Sequence, residues 1–247
     1  MTTVITKCTI SRLLNDVKEL VIHPLHDNGI YYQHDEDDIL KGYAMIVGPE
    51  DTPYFGGYYF FEITYPADYP FAPPLVIYKT NGDHIRFNPN LYMNGKVCLS
   101  ILNTWRGDQW TSCQTISTVL LNLCMVLCKE PFLNEPGILQ NYCHYDNYTK
   151  CIEYKNIDLA ILKMMNKQPD IFPEAFTIFY DIMQEHFAKN KSKILGFLEE
   201  RKLRPTEKLS VNLYKMNVII DYEKLHNLFQ AYINKIELNN LNSKSII

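Results

Sequence analysis

The sequence predicts an α+β domain, and three observations lead there. An amphipathic helix opens the chain, short β-rich runs with tight turn signals follow, and helical segments return after a long irregular stretch. Strands grouped between helices, rather than alternating with them, define that class.

The first helix is expected over about Thr9 to Ile22, where Ile10, Leu13, Leu14, Val17, Leu20 and Val21 recur at helical spacing. His23-Pro24 stops it, because proline pushes the preceding residue out of the helical region. Strands are expected near Tyr31–Gln33, Gly42–Val47, Tyr58–Tyr65 and Leu75–Tyr78. Short connections between them imply an antiparallel meander. Pro66, Pro70, Pro73 and Pro74 fall within nine residues and demand a rigid extended loop. Residues 81–110 are irregular. A helix is then expected behind a Thr111/Gln114 capping pair, with Ile116, Val119, Leu120, Leu123, Cys124 and Leu127 on one face and Glu130-Pro131 as its end. From about Tyr145 the tail reads as helical, with Pro173 in a first turn and Pro205 as an interruption. Leu225, Leu228, Phe229, Tyr232, Ile233 and Ile236 mark a last helix, and a frayed end is expected over residues 239–247.

Bulk properties narrow the function classes. The 247 residues suffice for one domain of about 150 residues plus an appendage. A net charge of -4 offers no electrostatic reason for a nucleic-acid partner. No apolar run approaches the roughly 18 residues that span a bilayer, so no membrane partner is expected. The first residues lack the apolar segment of an export signal. Seven cysteines, an odd number without framework spacing, read as reduced thiols. The expected setting is intracellular: the cytoplasm, with the nucleus as a second compartment.

The informative stretch is Phe87 to Leu102, in which the turn dipeptides Asn88-Pro89 and Asn94-Gly95 precede Cys98. Taken alone, Cys98 reads either as a small buried hydrophobe, the commoner case, or as a nucleophile on a preorganised loop. Cys124 and Cys128 lie one helical turn apart. Zinc would need two further ligands at suitable spacing, so core packing is expected and no metal.

This segment resembles the active site of ubiquitin-conjugating enzymes, in which a His-Pro-Asn triplet is followed by a catalytic cysteine eight residues after the Asn. Asn90 and Cys98 have that separation. Residues 48–57 resemble the family's loop between early strands, 65–74 its proline-rich loop, and Trp110 with 115–121 its Trp and the helix behind it. Asn88 departs from the family's His. The Asn-Pro-Asn form, the long loop Leu99–Gln109 and Asn134-Glu135-Pro136-Gly137 are instead similar to the large Z-type branch.

The resemblance implies a core at residues 7–167 and a helical extension at 168–247. It implies an enzyme of the acyltransferase class that takes ubiquitin or a ubiquitin-like modifier from an activating enzyme as a thioester on Cys98 and passes it to a substrate lysine, usually with a ligase. No cofactor is expected, because the activating enzyme uses the ATP. Asn90 is the candidate oxyanion donor, or alternatively a tie for its own loop. Glu135 is a candidate for orienting the incoming lysine, or a solvated carboxylate. Thr118, Leu121 and Met125 correspond to the helix face that holds the modifier, with plain core as the other reading for the last two. Arg12, Phe71, Ser112 and Cys113 correspond to the ligase contacts, although the family often has Pro-Ala at the last two positions. Two competing readings are a non-catalytic ubiquitin-binding variant, against which Cys98 argues, and a cysteine hydrolase pairing Cys98 with His84 or His144.

Overall fold

The computed structural model describes residues 5–244, with side chains to residue 238. Helix α1 spans Lys7–Ile22. Thr6 caps it by accepting a hydrogen bond from the Thr9 amide, which would otherwise be an unpaired donor at the helix start. Leu13 and Leu20 enter the core, and buried Asp16 is paired with the Arg12 Nε at 2.8 Å and the Tyr69 hydroxyl at 2.5 Å.

Four strands follow: β1 (Ile30–His34), β2 (Lys41–Val47), β3 (Tyr58–Thr64) and β4 (Leu75–Tyr78). They form one antiparallel sheet in sequence order, the expected meander. Met45 pairs with Phe60 and Ile46 with Tyr59, so neighbours along β3 alternate between two faces. Both faces are buried. Tyr59 meets Tyr54 and Phe87 of the loops, with ring centroids 5.5 and 5.7 Å apart. On the opposite face Phe60 and Tyr43 meet Phe176, at 4.7 and 5.4 Å.

Helix α2 (Ile116–Val126) is capped by Thr115, which accepts from the Thr118 amide. Thr111 and Gln114 do bond reciprocally, as a closed turn ahead of the helix rather than as its cap. The helix stops at Val126, and Pro131–Asn134 forms a separate short turn. Helix α3 (Tyr145–Lys155) runs into π-helical turns over Asn156–Lys163. There the buried Asn156 side chain accepts from the Tyr59 hydroxyl (2.7 Å) and donates to the Phe55 carbonyl (2.9 Å). A Cβ on Gly57 would lie 2.0 Å from its oxygen, so only glycine fits at that position.

The tail is not wholly helical. Helices α4 (Tyr180–Glu199) and α5 (Tyr222–Lys244) flank an antiparallel hairpin, β5 (Glu207–Val211) and β6 (Met216–Ile220). Leu209, Val211, Met216, Val218 and Ile220 alternate inward, a period-2 pattern that specifies strand. On α5, Leu225, Phe229, Tyr232 and Ile233 are buried, while Leu228 faces outward. The backbone remains helical to Lys244, where a frayed end was expected, and residues 245–247 lie outside the described residues.

One contiguous hydrophobic cluster runs from Leu13 to Ile233, so the extension shares the core of the sheet. Tyr58 donates to the Met183 carbonyl (2.7 Å), and the Tyr31 hydroxyl is hydrogen-bonded to His186 Nε2 at 2.6 Å.

Burial of His186, aided by Lys189, lowers its pKa below the usual 6.5, against a raising effect of Glu185. The unfolded chain therefore binds a proton at His186 more readily than the folded one. This contribution to stability is intact above about pH 6.5 and is lost as pH falls through the folded value. Urea denaturation between pH 7.5 and 5 should show falling stability, with a shallower fall in His186→Gln.

Candidate active site

The loop bearing Cys98 is built from turns that the sequence dictates. Asn94 accepts from the Lys96 amide (3.1 Å), and the Gly95 amide donates to the Tyr92 carbonyl (2.9 Å). Gly95 has a φ of 89°, in the left-handed region that side chains disfavour. Its carbonyl accepts from the Tyr78 amide at 2.8 Å, which docks the turn on the end of β4. The chain then returns so that the Cys98 amide donates to the Asn90 carbonyl at 2.8 Å.

Asn88 organises the triplet. It is fully buried. Its amide nitrogen donates to the Tyr54 hydroxyl (3.0 Å) and to the Val126 carbonyl (2.7 Å) at the end of α2. Its amide oxygen accepts from the Asn90 backbone (2.9 Å) and, at 3.5 Å, from Asn134. The residue that departs from the family's usual His is therefore a fully used hub joining the loop, α2 and the segment before Glu135.

Cys98 is 2% exposed. Among the described residues its sulfur makes no hydrogen bond, and neither His84 nor His144 pairs with it. His84 sits on an exposed turn at a φ of 54°. The arrangement thus supplies no general base to the thiol, as the hydrolase reading would require. Asn90 donates its side-chain amide to the Cys98 carbonyl at 2.7 Å, so it does tie its own loop. That nitrogen carries a second hydrogen, and the side-chain oxygen is buried without a partner among the described residues.

Glu135 lies at the end of the 131–134 turn and accepts from the Tyr214 hydroxyl at 2.5 Å. It is half-buried rather than freely solvated. Burial, and then Glu135 itself, push the Tyr214 phenol well above its ordinary range, so it stays protonated and donates. Arg86 lies between Tyr92 and Tyr214, 3.7 and 4.4 Å from their ring centroids, and donates to the Pro89 carbonyl. Sequence reasoning missed both Arg86 and Tyr214. The signal for the second was the alternation around residues 207–220.

The residues expected to contact a modifier or a ligase lie on α2, on α1 and in the loops beside them. Leu121 and Met125 are 36% and 73% exposed on α2, outside the core, with Thr118 half-buried one turn earlier. Phe71 is 74% exposed. Arg12 donates to the carbonyls of Ser112 and Gln114, each at 2.7 Å, tying α1 to the loop where Ser112 and Cys113 are exposed. Trp110 donates to the Pro70 carbonyl at 2.7 Å and fixes the proline-rich loop beside them. The Cys124 and Cys128 sulfurs face the oxygens of Asn28 and Asn134.

Residues 12–156 match the family model described as ubiquitin-conjugating enzyme. The chain belongs to the ubiquitin-conjugating enzyme family. It is 38% identical over 183 residues to "Ubiquitin-conjugating enzyme E2 Z" of Xenopus tropicalis, covering 70% of this chain and 58% of that protein. Against the protein of the same name in Danio rerio it is 37% identical over 195 residues, 78% of this chain and 58% of the relative. It is also similar to "Probable ubiquitin-conjugating enzyme protein 17" of Caenorhabditis elegans, 36% identical over 181 residues, 68% of this chain and 24% of that one. The chain thus spans less than two thirds of the length of these relatives. It stands close to the Z type, and its Asn-Pro-Asn triplet makes this family member depend on an amide hub rather than an imidazole.

Replacing Asn88 by Ala removes the partner of the Asn90 amide and one of the two partners of the Tyr54 hydroxyl and of the Val126 carbonyl, which keep Phe87 and Asn134 respectively. The expected loss is about 1–3 kcal/mol of unfolding free energy, because one buried amide is left unpaired and two shared hydrogen bonds go. Chemical denaturation of Asn88→Ala against the parent chain measures it.

Proposed function

We propose that this chain is a ubiquitin-conjugating enzyme that accepts ubiquitin or a ubiquitin-like modifier on Cys98 and transfers it to a substrate lysine. The observation that carries this reading is the loop in which Asn90 and Cys98 are bonded in both directions, within a family-matched fold. The Cys98 thiolate attacks the carbonyl carbon of the thioester on an activating enzyme. The tetrahedral intermediate then expels that enzyme's thiolate. In the second step a neutral lysine amine attacks the Cys98 thioester, the Cys98 thiolate leaves, and the amine loses a proton as the amide forms. Thioester exchange is nearly isoenergetic, so what the protein contributes is positioning and stabilisation of the transient oxyanion. No histidine is required, because the acyl group arrives already activated.

The free hydrogen of the Asn90 amide is suited to the oxyanion, while the other hydrogen holds the loop. Glu135 is suited to accept a hydrogen bond from the incoming amine. Burial of Cys98 keeps bulk water from the thioester. Thr118, Leu121 and Met125 offer the surface for the carried modifier, and Arg12, Phe71, Ser112 and Cys113 that for a ligase. The cytoplasm and nucleus are the proposed setting.

Incubation with an activating enzyme, ATP and ubiquitin, followed by a non-reducing gel, should give a thiol-sensitive adduct that is absent in Cys98→Ala. No adduct across a panel of activating enzymes and modifiers would sink the proposal. Asn90→Ala, once charged, should discharge to free lysine more slowly, by a factor approaching about 100 if the oxyanion donor is lost. A parental discharge rate would leave Asn90 with its loop role alone.

A further inference from the structure

The hairpin of the extension brings one side chain, Tyr214, against Glu135. Tyr214 stands in the short turn between β5 and β6, where Lys215 adopts a φ of 54° and lets the chain reverse tightly. It is 5% exposed. Its ring packs on Phe132 and Tyr148, each 5.7 Å between centroids, and those two rings stack on one another at 4.4 Å. The phenol is thus held by a rigid aromatic seat, and its oxygen reaches Glu135 Oε2.

We propose that Tyr214 is a positioning residue for lysine transfer, holding the Glu135 carboxylate by one oxygen so that the other faces the incoming amine. This rests on the reading of Glu135 given above. Among the described residues, the Glu135 carboxylate has no hydrogen-bond donor besides Tyr214. Pro136 and Gly137 beyond it are exposed, and a Cβ at Gly137 would touch nothing within 4 Å. A glutamate in such a segment would otherwise sample many rotamers, and fixing it at the moment of reaction costs entropy. The buried phenol removes that cost beforehand. It is a neutral donor, so it restrains the carboxylate without consuming its charge. The same ring covers one face of Arg86, which donates to Pro89 within the triplet. Tyr214 therefore sets the acid and the cysteine loop against a common reference, and the extension becomes part of the transfer site.

The test charges the full chain with ubiquitin, removes ATP, and follows loss of the thioester to free lysine and, separately, to a small thiol that needs no amine orientation. Tyr214→Phe keeps the aromatic seat and deletes only the donor. Its lysine discharge should fall about threefold to tenfold, the effect of one net hydrogen bond, with the ratio of lysine to thiol discharge falling in parallel. Glu135→Gln should also slow lysine discharge, and the double variant should match Glu135→Gln alone, because Tyr214 acts through that carboxylate. Equal slowing of both acceptors would mean a general loosening and overturn the proposal, as would multiplicative effects in the double variant. If Glu135→Gln is slow and Tyr214→Phe is not, the role of Tyr214 fails and that of Glu135 stands. If Glu135→Gln discharges at the parental rate, the reading of Glu135 fails and Tyr214 falls with it.

Discussion

A side-chain amide that is fully buried must find all its hydrogen-bond partners in the protein. Asn88 finds four: a tyrosine hydroxyl, the last carbonyl of α2, the Asn90 amide and, more distantly, Asn134. Among the described residues the Asn90 amide has no other acceptor, and the Tyr54 hydroxyl and Val126 carbonyl share theirs with Phe87 and Asn134, so the bonds form one connected network. The positions of the cysteine loop, the helix and the Glu135 segment are therefore solved jointly. Asn90 inherits its orientation from that solution, and so does the carbonyl of Cys98.

The second constraint is the sheet, which is covered on both sides. Antiparallel sheets commonly leave one face to solvent and alternate apolar with polar residues. Here Tyr58-Tyr59-Phe60-Phe61 breaks that habit, because Tyr59 and Phe61 face the cysteine-bearing side while Tyr58 and Phe60 face the extension. The extension is thus a structural layer. Removing it would uncover a surface rich in aromatic rings. Its hairpin sits on α3, and Tyr214 between its strands bonds Glu135, so the covering layer and the candidate site are mechanically linked.

The local codes were readable from sequence where they were self-contained. The four strands, the helix faces of α1 and α2 and the turn at Asn94-Gly95 each follow from a short pattern. The spacing of Asn90 and Cys98 marked the candidate site, and the resemblance favoured a nucleophile over a packed thiol there. What was not legible depended on contacts distant in sequence. Thr111 and Gln114 fit a cap motif, yet Thr115 wins because its backbone is already extended where the helix begins. The β5–β6 hairpin was hidden because its alternation is short and flanked by strong helix formers. Arg86 and Tyr214 are separated by over a hundred residues, and no local rule pairs them.

The double burial of the sheet also has a consequence for synthesis. β4 ends at Tyr78, but the groups that meet Tyr43, Tyr58 and Phe60 on that face belong to Phe176 and Met183. About 100 residues separate the two, and at about 5–20 residues per second the ribosome needs roughly 5–20 s to deliver them. For that interval the nascent meander carries an open aromatic face, a natural substrate for chaperones that hold hydrophobic surface until the rest of the chain arrives.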